Sequence, residues 1–353
     1  MTYVSGAARW LLVSDLHLDV SDDDPRHPGR VLPGFIRREV PAAAGPQQHV
    51  VFVGDTFELA GLTEGESLAR LEAVLARHPE TFQALKACAT RGVQLHFVCG
   101  NHDVELARPS VATRLSALLA PDDPTRVQVH PWLLYVPSVL VAEHGHLHHA
   151  LHRIPEVLRT AVNGTDELDL PPLAAWHAHP ARSRLSRAGA VARACLASER
   201  AERRVRRPAY DKLLQSESQR LTLSGTAVRE LARLSRFRTV SALPLTATRM
   251  VITATGRRAS GGQAPAAAAR VADILETHGS TVAWYISAHT HRALEAPLEA
   301  SDTRYINTGT WSSDIRGQGP DQLDRLAFPY ALIDVADDGA ISGGLRYWHP
   351  DAG

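Results

Sequence analysis

The sequence predicts an α/β domain of layered sheets carrying one long helical insertion. Three observations predict it. Apolar runs rich in β-branched and aromatic residues recur along the chain, each stopping at a polar residue, as strands covered on both faces do. Helical spacing of apolar residues lies between the early runs. The 353 residues, 44% hydrophobic and 22% charged, suffice for one large domain with an insertion and are too apolar for a disordered chain.

The first strand, Trp10 to Ser14, leads into Asp15-Leu16-His17, and the second, Val50 to Gly54, into Asp55. Leu68, Leu71 and Leu75, then Phe82 and Leu85, recur at helical intervals, and Gly92 ends that stretch. Val93 to Cys99 leads into Gly100-Asn101-His102-Asp103, and Val139 to Glu143 into His144. Val282 to Ser287 leads into Ala288-His289-Thr290-His291. Three last strands, Arg304 to Asn307, Tyr330 to Asp334 and Ile341 to Trp348, have no helix between them and read as an antiparallel meander.

Residues 147–264 differ in texture. They are strand-poor and interrupted by Pro155, Pro171, Pro172, Pro180, Pro208 and Pro244. Helices are expected over 183–207 and about 210–238, with a return loop over 256–262. This block holds 20 Arg and Lys against 9 Asp and Glu, a surplus of +11, which leaves 18 against 29 in the rest, or −11. The division is therefore a core of 1–146 and 265–353 and a basic insertion, or cap, of 147–264. Lying between two donor-bearing strands, the insertion is expected over or beside the site they build. Its charge suits an anionic partner, and the arginines from Arg203 to Arg207 suit nucleic acid, an anionic membrane surface or a phosphorylated head group, as well as a solvated helix end.

No run of eighteen apolar residues offers a membrane span, and Met1 to Trp10 lacks the apolar stretch of a signal peptide. Cys88, Cys99 and Cys195 are odd in number and widely spaced, which points to a reducing, cytoplasmic setting. Asp22-Asp23-Asp24 lacks a strand to hold it and reads as a solvated loop.

The strand ends supply Asp15, His17, Asp55, Asn101, His144, His289 and His291. Asp15 and His17, and likewise His289 and His291, lie two apart, the spacing that faces one way in a strand. Mixed nitrogen and oxygen donors suit Mn, Fe, Zn or Co better than Ca. Seven donors are too many for one ion and fit two divalent transition-metal ions sharing a carboxylate, with Mn the first choice. Two such ions clamp the attacking and leaving oxygens of a phosphoryl displacement and lower the pKa of a bound water, giving a bridging hydroxide.

These motifs, in this order and with His144-Gly145-His146 as the fourth, resemble those of the calcineurin-like metallophosphoesterases. The resemblance covers roughly residues 9–149 and 280–348. It implies a four-layer αββα sandwich, with Asp15, His17 and His291 on one ion, Asn101, His144 and His289 on the other, and Asp55 bridging. It implies that His102 is the non-ligand histidine that hydrogen-bonds the phosphate and assists the leaving group, with Asp103 orienting its ring. Two positions depart from the family pattern. Glu58 stands where Asp is common, which is expected to alter a supporting contact, and Ala288 stands where Gly is usual. His146, Asn307 and Trp311 are candidates to line the substrate pocket, while His148, His149 and His152 are expected on the surface of the cap. The function this implies is metal-dependent hydrolysis of a phosphodiester, phosphomonoester or pyrophosphate bond in an anionic small molecule. The alternatives are a nuclease acting on DNA or RNA, and a non-catalytic binding protein of the same fold.

Overall fold

Strand alternation sends one set of side chains to each face of a sheet, and here both faces are apolar, so each sheet must be covered twice. The computed structural model describes residues 6–20, 26–40, 46–148, 207–235, 260–298, 301–312 and 327–350. They form two sheets packed face to face. The first has six strands: β1 (Ala8–Val13), β2 (Gln47–Val53), β3 (Gln94–Val98), β4 (Val127–His130), β10 (Phe328–Val335) and β11 (Ile341–Trp348), in the order β11-β10-β1-β2-β3-β4. Strands β1 to β4 run parallel, and β10 and β11 close one edge antiparallel. The second sheet has five: β5 (Leu133–Val136), β6 (Ser138–Glu143), β7 (Val282–Ser287), β8 (Leu294–Pro297) and β9 (Arg304–Asn307), in the order β5-β6-β7-β9-β8.

The period-two pattern sorts the core into three layers. Trp10, Leu12, Val51 and Val53 meet Leu140, Ala142, Trp284 and Ile286 between the sheets. Leu11, Val13, Val50 and Phe52, on the other face, pack beneath α1 (Pro28–Glu39), α2 (Glu64–Arg77), α3 (Pro79–Thr90) and α4 (Pro109–Leu119). Val141, Tyr285 and Tyr305 pack beneath α5 (Arg207–Leu221), α6 (Gly225–Ser235) and α7 (Ser260–Thr277). The architecture is an αββα sandwich with additional helical sequence. Each of α1, α3 and α4 starts with Pro, where a missing N–H costs nothing, and Thr63 and Glu66 form a capping box on α2.

Three expectations change. The last strands do not form one meander. Strands β10 and β11 are an antiparallel pair in the first sheet, whereas β9 lies in the second, parallel to β7 and antiparallel to β8. Tyr305 and Ile306 are buried on opposite faces, which demands an interior strand. Of the helix expected over about 210–238, the described residues, which end at 235, form two helices, broken where Thr222 takes a left-handed φ of 54° and the Ser224 hydroxyl accepts from Ala227 N. Ser260, Gly261 and Gly262 open α7 and are not part of a loop. Most of the helix expected over 183–207 lies outside the described residues, as do His149, His152 and Asp22 to Asp24. Within 147–264, α5 and α6 lie in the helical layer of the second sheet.

One polar feature crosses the apolar layer between the sheets. His49, His96 and His130, on adjacent strands β2, β3 and β4, form a buried row: His49 Nδ1 is 3.0 Å from His96 Nε2, and His96 Nδ1 is 3.1 Å from His130 Nε2. Trp10 stacks on His49 at 3.6 Å. At the other end Arg220 of α5 places Nη1 3.1 Å from His130 Nδ1 and donates to Leu133 O at 3.0 Å, while pairing with Glu217. A guanidinium only donates, so His130 Nδ1 must accept and Nε2 must carry the hydrogen. The same direction then passes to His96 and His49. Burial pushes His49 down to about 2 and His96 to about 3, and holds His130 well below its usual value, so all three are neutral. Among the described residues, no helix is long and apolar enough to cross a membrane.

Candidate metal centre

Every donor-bearing segment begins where a central strand ends. Asp15 and His17 follow β1, Asp55 follows β2, Asn101 and His102 follow β3, His144 follows β6, and His289 and His291 follow β7. Parallel pairing brings these ends to one edge of the sandwich. Close approach there needs glycine. A Cβ on Gly54, which sits at φ 81°, would land on the His144 ring, and one on Gly100 would land on the Asp55 carboxylate.

The two-residue spacing works differently from strand alternation. Asp15, His17, Asp55, His289 and His291 all adopt left-handed backbone, with φ of 49°, 51°, 50°, 66° and 57°. They are five of the seven non-glycine residues at positive φ among those described. Such backbone costs on the order of 1–3 kcal/mol per residue and persists only where the surroundings enforce it. Asp15 is enforced through its carbonyl, which accepts from Thr310 Oγ1, Trp311 N and Ser312 N, each at 3.1 Å.

The donors meet. Ligand atoms of Asp15, His17 and His291 lie within 4.8 Å of one another, as do those of Asp15, Asp55 and His144. His291 Nε2 is 2.9 Å from Asp15 Oδ1. Asp55 Oδ2 lies 3.1 Å from His144 Nε2 and 3.9 Å from His17 Nε2. The His289 ring sits 5.2 Å from that of His144. His144 donates from Nδ1 to Val53 O at 3.0 Å, which leaves Nε2 as the inward donor atom.

A cation fits this donor set. Asp15 Oδ1, His17 Nε2, Asn101 Oδ1 and His144 Nε2 are buried polar atoms without an aligned hydrogen-bond partner, although His291 stands close to Asp15 and Asp55 close to His144. Unsatisfied buried groups of this kind are costly unless an ion takes them. The charges agree. Burial opposes ionisation of both aspartates, yet His291 and His144 hold Asp15 below its usual value, and His144, His102 and His17 hold Asp55 well below. Conversely, burial is outweighed at His144, which Asp55 and Asp15 raise to about 10. The carboxylates thus draw positive charge into a closed space. Clusters of His, Asp and Glu able to chelate metal are present.

His102 lies beside them, its backbone N–H donating to Asp55 Oδ1 at 2.8 Å. Its ring is oriented by Glu58, not by Asp103 as expected. The Glu58 carboxylate accepts from His102 Nδ1 at 2.9 Å and from His17 Nδ1 at 2.5 Å. Against burial, Glu58 and Asp55 raise His102 to about 9, and the two histidines lower Glu58 to about 2. The Asp103 carboxylate instead accepts from the backbone amides of Gly100 and Thr56 at 2.7 Å and of Phe57 at 3.3 Å, tying two donor loops together. Burial and the Asp55 charge push Asp103 up to about 6.

Two proposed pocket residues are not at the surface. Trp311 is fully buried among Phe35, Phe328 and Trp348, with its indole N–H on Pro329 O. Asn307 is buried; its amide donates to Ala288 O at 2.8 Å and its oxygen accepts from Gly309 N at 3.0 Å. A flat, polar sequence pattern around an aromatic resembles a pocket rim, but here it is a packed loop. His146 does sit near the centre, its ring 5.3 Å from His144 and 6.3 Å from His289. His148, expected at the surface, pairs with buried Glu143, which also accepts from Tyr285. Glu58, three residues after Asp55, makes the supporting contact expected at that position, whereas Glu143 was not singled out from the sequence.

Two facing sheets between helical layers, with chelating clusters at the ends of β1, β2, β6 and β7, match what the sequence resemblance implies. The fold is an αββα sandwich with clusters able to chelate metal at one edge. No family model and no curated protein matches the sequence. Among solved structures, the chain is similar to the Thermus thermophilus sulfate thiohydrolase SoxB in complex with glycerol, at 13% identity and a TM-score of 0.37, over 98% of this chain and 57% of that one. The chain thus spans little more than half the length of that protein. It is also similar to the phosphopantetheinyl hydrolase PptH from Mycobacterium tuberculosis, at 14% identity and a TM-score of 0.32, over 90% of this chain and 95% of that one. Neither likeness bears on the site, which stands on its own geometry.

Proposed function

We propose that the protein is a metal-dependent phosphoesterase that hydrolyses a phosphodiester, phosphomonoester or pyrophosphate bond in an anionic small molecule. The observation that carries this reading is the convergence of buried donor atoms of Asp15, His17 and His144 on a carboxylate, Asp55, that stands between His17 and His144, with Asn101 Oδ1 also buried and unsatisfied. Asp15, His17 and His291 would hold one ion and Asn101, His144 and His289 a second, with Asp55 shared. Mn is the first candidate, and Fe, Zn and Co suit the same donors. Bound there, divalent ions would polarise the phosphoryl oxygens and activate water at neutral pH.

The protein's own groups do the rest. His102, raised to about 9, is cationic at neutral pH and donates to a phosphoryl oxygen or to the departing oxygen. Glu58 holds its Nδ1 hydrogen in place and so fixes the ring, with Nε2 the nitrogen that would donate to substrate. His146, beside His144 and His289, contacts substrate. The basic insertion of 147–264, set into the core of 1–146 and 265–353, supports recruitment of an anion. Cys88 and Cys99 are free thiols, which supports a reducing, cytoplasmic setting.

Incubating the Mn-loaded protein with a phosphomonoester, a simple diester, a nucleoside diphosphate conjugate and single-stranded DNA tests the reading. Turnover of one or more of the small molecules is expected. Turnover of DNA alone would replace the reading with a nuclease, and metal uptake without any turnover would replace it with a binding protein.

A further inference from the structure

The donors reach the centre from two different sheets. Asp15, His17 and Asp55 follow strands of the first, and His144, His289 and His291 follow strands of the second. The sheets meet through apolar side chains, a contact that is non-directional. Holding a ligand constellation to within about 0.5 Å needs locked polar contacts as well.

The end of β9 and the loop leaving it, residues 307–312, supply them. Ser14 immediately precedes Asp15, and Ser287 stands two residues before His289. Thr308 joins the two. Its backbone N–H donates to Ser287 O at 2.9 Å, its Oγ1 lies 3.2 Å from the same oxygen, and that Oγ1 is 2.7 Å from Ser14 Oγ. Each hydroxyl has one proton to give. The arrangement that serves all three groups has Ser14 donating to Thr308 Oγ1 and Thr308 donating to Ser287 O. Gly309 O, at 3.2 Å, is the longer alternative for the Ser14 proton. Ser14, Thr308 and Ser287 are all buried, so water does not compete. Donors on residues 310–312 then hold Asp15 O, and Asn307 holds Ala288 O.

We propose that Thr308 is a positioning residue for the metal pair, its hydroxyl setting the separation of the Asp15/His17 group from the His289/His291 group through Ser14 and Ser287. The proposal rests on the two-ion reading given above. The contacts of Thr308 are to the flanks of donor residues on both sides, which makes its hydroxyl a gauge of distance across the seam.

Thr308→Val keeps the branching and the backbone hydrogen bond and removes only the hydroxyl, whereas Thr308→Ser returns it. Full-length, metal-free protein is titrated with Mn²⁺ against a chelator, and the electron paramagnetic resonance spectrum of the loaded form is recorded. The T308V variant is expected to take the second ion at least about 10-fold more weakly, in line with losses of supporting hydrogen bonds around metal ligands, and to lose the exchange-coupled signal of a close pair. T308S is expected to restore both. Ser14→Ala breaks the link from the other side and is expected to act in the same direction; it decides the matter if T308V does not fold. Wild-type affinity and an unchanged coupled spectrum in T308V, or in S14A where T308V is unfolded, would overturn the role of Thr308 and leave the metal centre standing. Failure of the wild-type protein to take up a second ion would overturn both readings together.

Discussion

Glu58 holds the Nδ1 edge of His102 at 2.9 Å, and the two residues bias each other's charge, the histidine raised to about 9 and the carboxyl lowered to about 2. The acid form of His102 therefore persists through neutral pH and is lost as pH rises through about 9. Glu58→Gln removes one of the two charges that raise it and leaves Asp55, so the alkaline limb of kcat is expected to move down from about 9 toward the ordinary histidine range. A limb that stays near 9 in the variant would show that another group titrates there.

His102 and Asp55 are expected to fail differently. His102→Ala removes a proton donor and no donor atom of the cluster, so turnover is expected to drop by about 10²–10⁴-fold with metal content retained. Asp55→Ala removes the carboxylate between His17 and His144, so metal content and turnover should vanish together. Elemental analysis beside the assay separates the two outcomes.

Metal uptake should expel protons. His144 is raised to about 10 by Asp55 and Asp15, so below that it carries a proton that a cation must displace, and Glu58 raises His17 in the same direction. Affinity is expected to weaken as pH falls from 8 to 6. Calorimetry in two buffers of different ionisation enthalpy should give different apparent heats. Identical heats would mean that no proton leaves.

The buried histidine row should make the fold acid-sensitive. His49 and His96 have depressed pKa values in the folded chain, about 2 and 3, against 6.5 unfolded. The unfolded chain therefore binds protons first. Their contribution is whole above pH 6.5 and declines as pH falls from there toward 3, by at most about 1.4 kcal/mol per pH unit for each ring. Urea denaturation at pH 7 and pH 5 should show the decline, and His96→Leu should show a shallower one. Equal slopes would dismiss the row as its source.

The donor direction set by Arg220 is also open to measurement. Nitrogen-15 spectra should report the Nε2–H form at His130, His96 and His49, and Arg220→Leu should release His130 from that restriction. An Nδ1–H form in any of the three in the native protein would contradict the chain.

Much of the centre was legible because each donor follows an apolar run that can only be a central strand. Asp15, Asp55, His144 and His289 needed no more than that. Two-residue spacing groups Asp15 with His17 and His289 with His291, but all four sit in left-handed backbone, which alternation in a strand does not describe. Adjacency misled at Asp103, because the loop turns its carboxylate onto the amides of Gly100, Thr56 and Phe57 and leaves the His102 ring to Glu58, far off in sequence. Trp311 resembled a pocket residue until its burial against Phe35 and Trp348 showed it to be part of the core. The row of His49, His96 and His130 depends on strand register, and nothing local in any of the three strands announces it.

The placement of the donors on two sheets has a thermodynamic consequence. An ion held from both sides binds only when the sandwich is closed, so occupancy and folding are linked by mass action. At a free-ion concentration 100 times the dissociation constant, each such ion adds about 2.7 kcal/mol to the folded state. If the centre takes up ions as proposed, melting temperature would become a reading of ion supply, and starvation for the ion would deplete the folded protein.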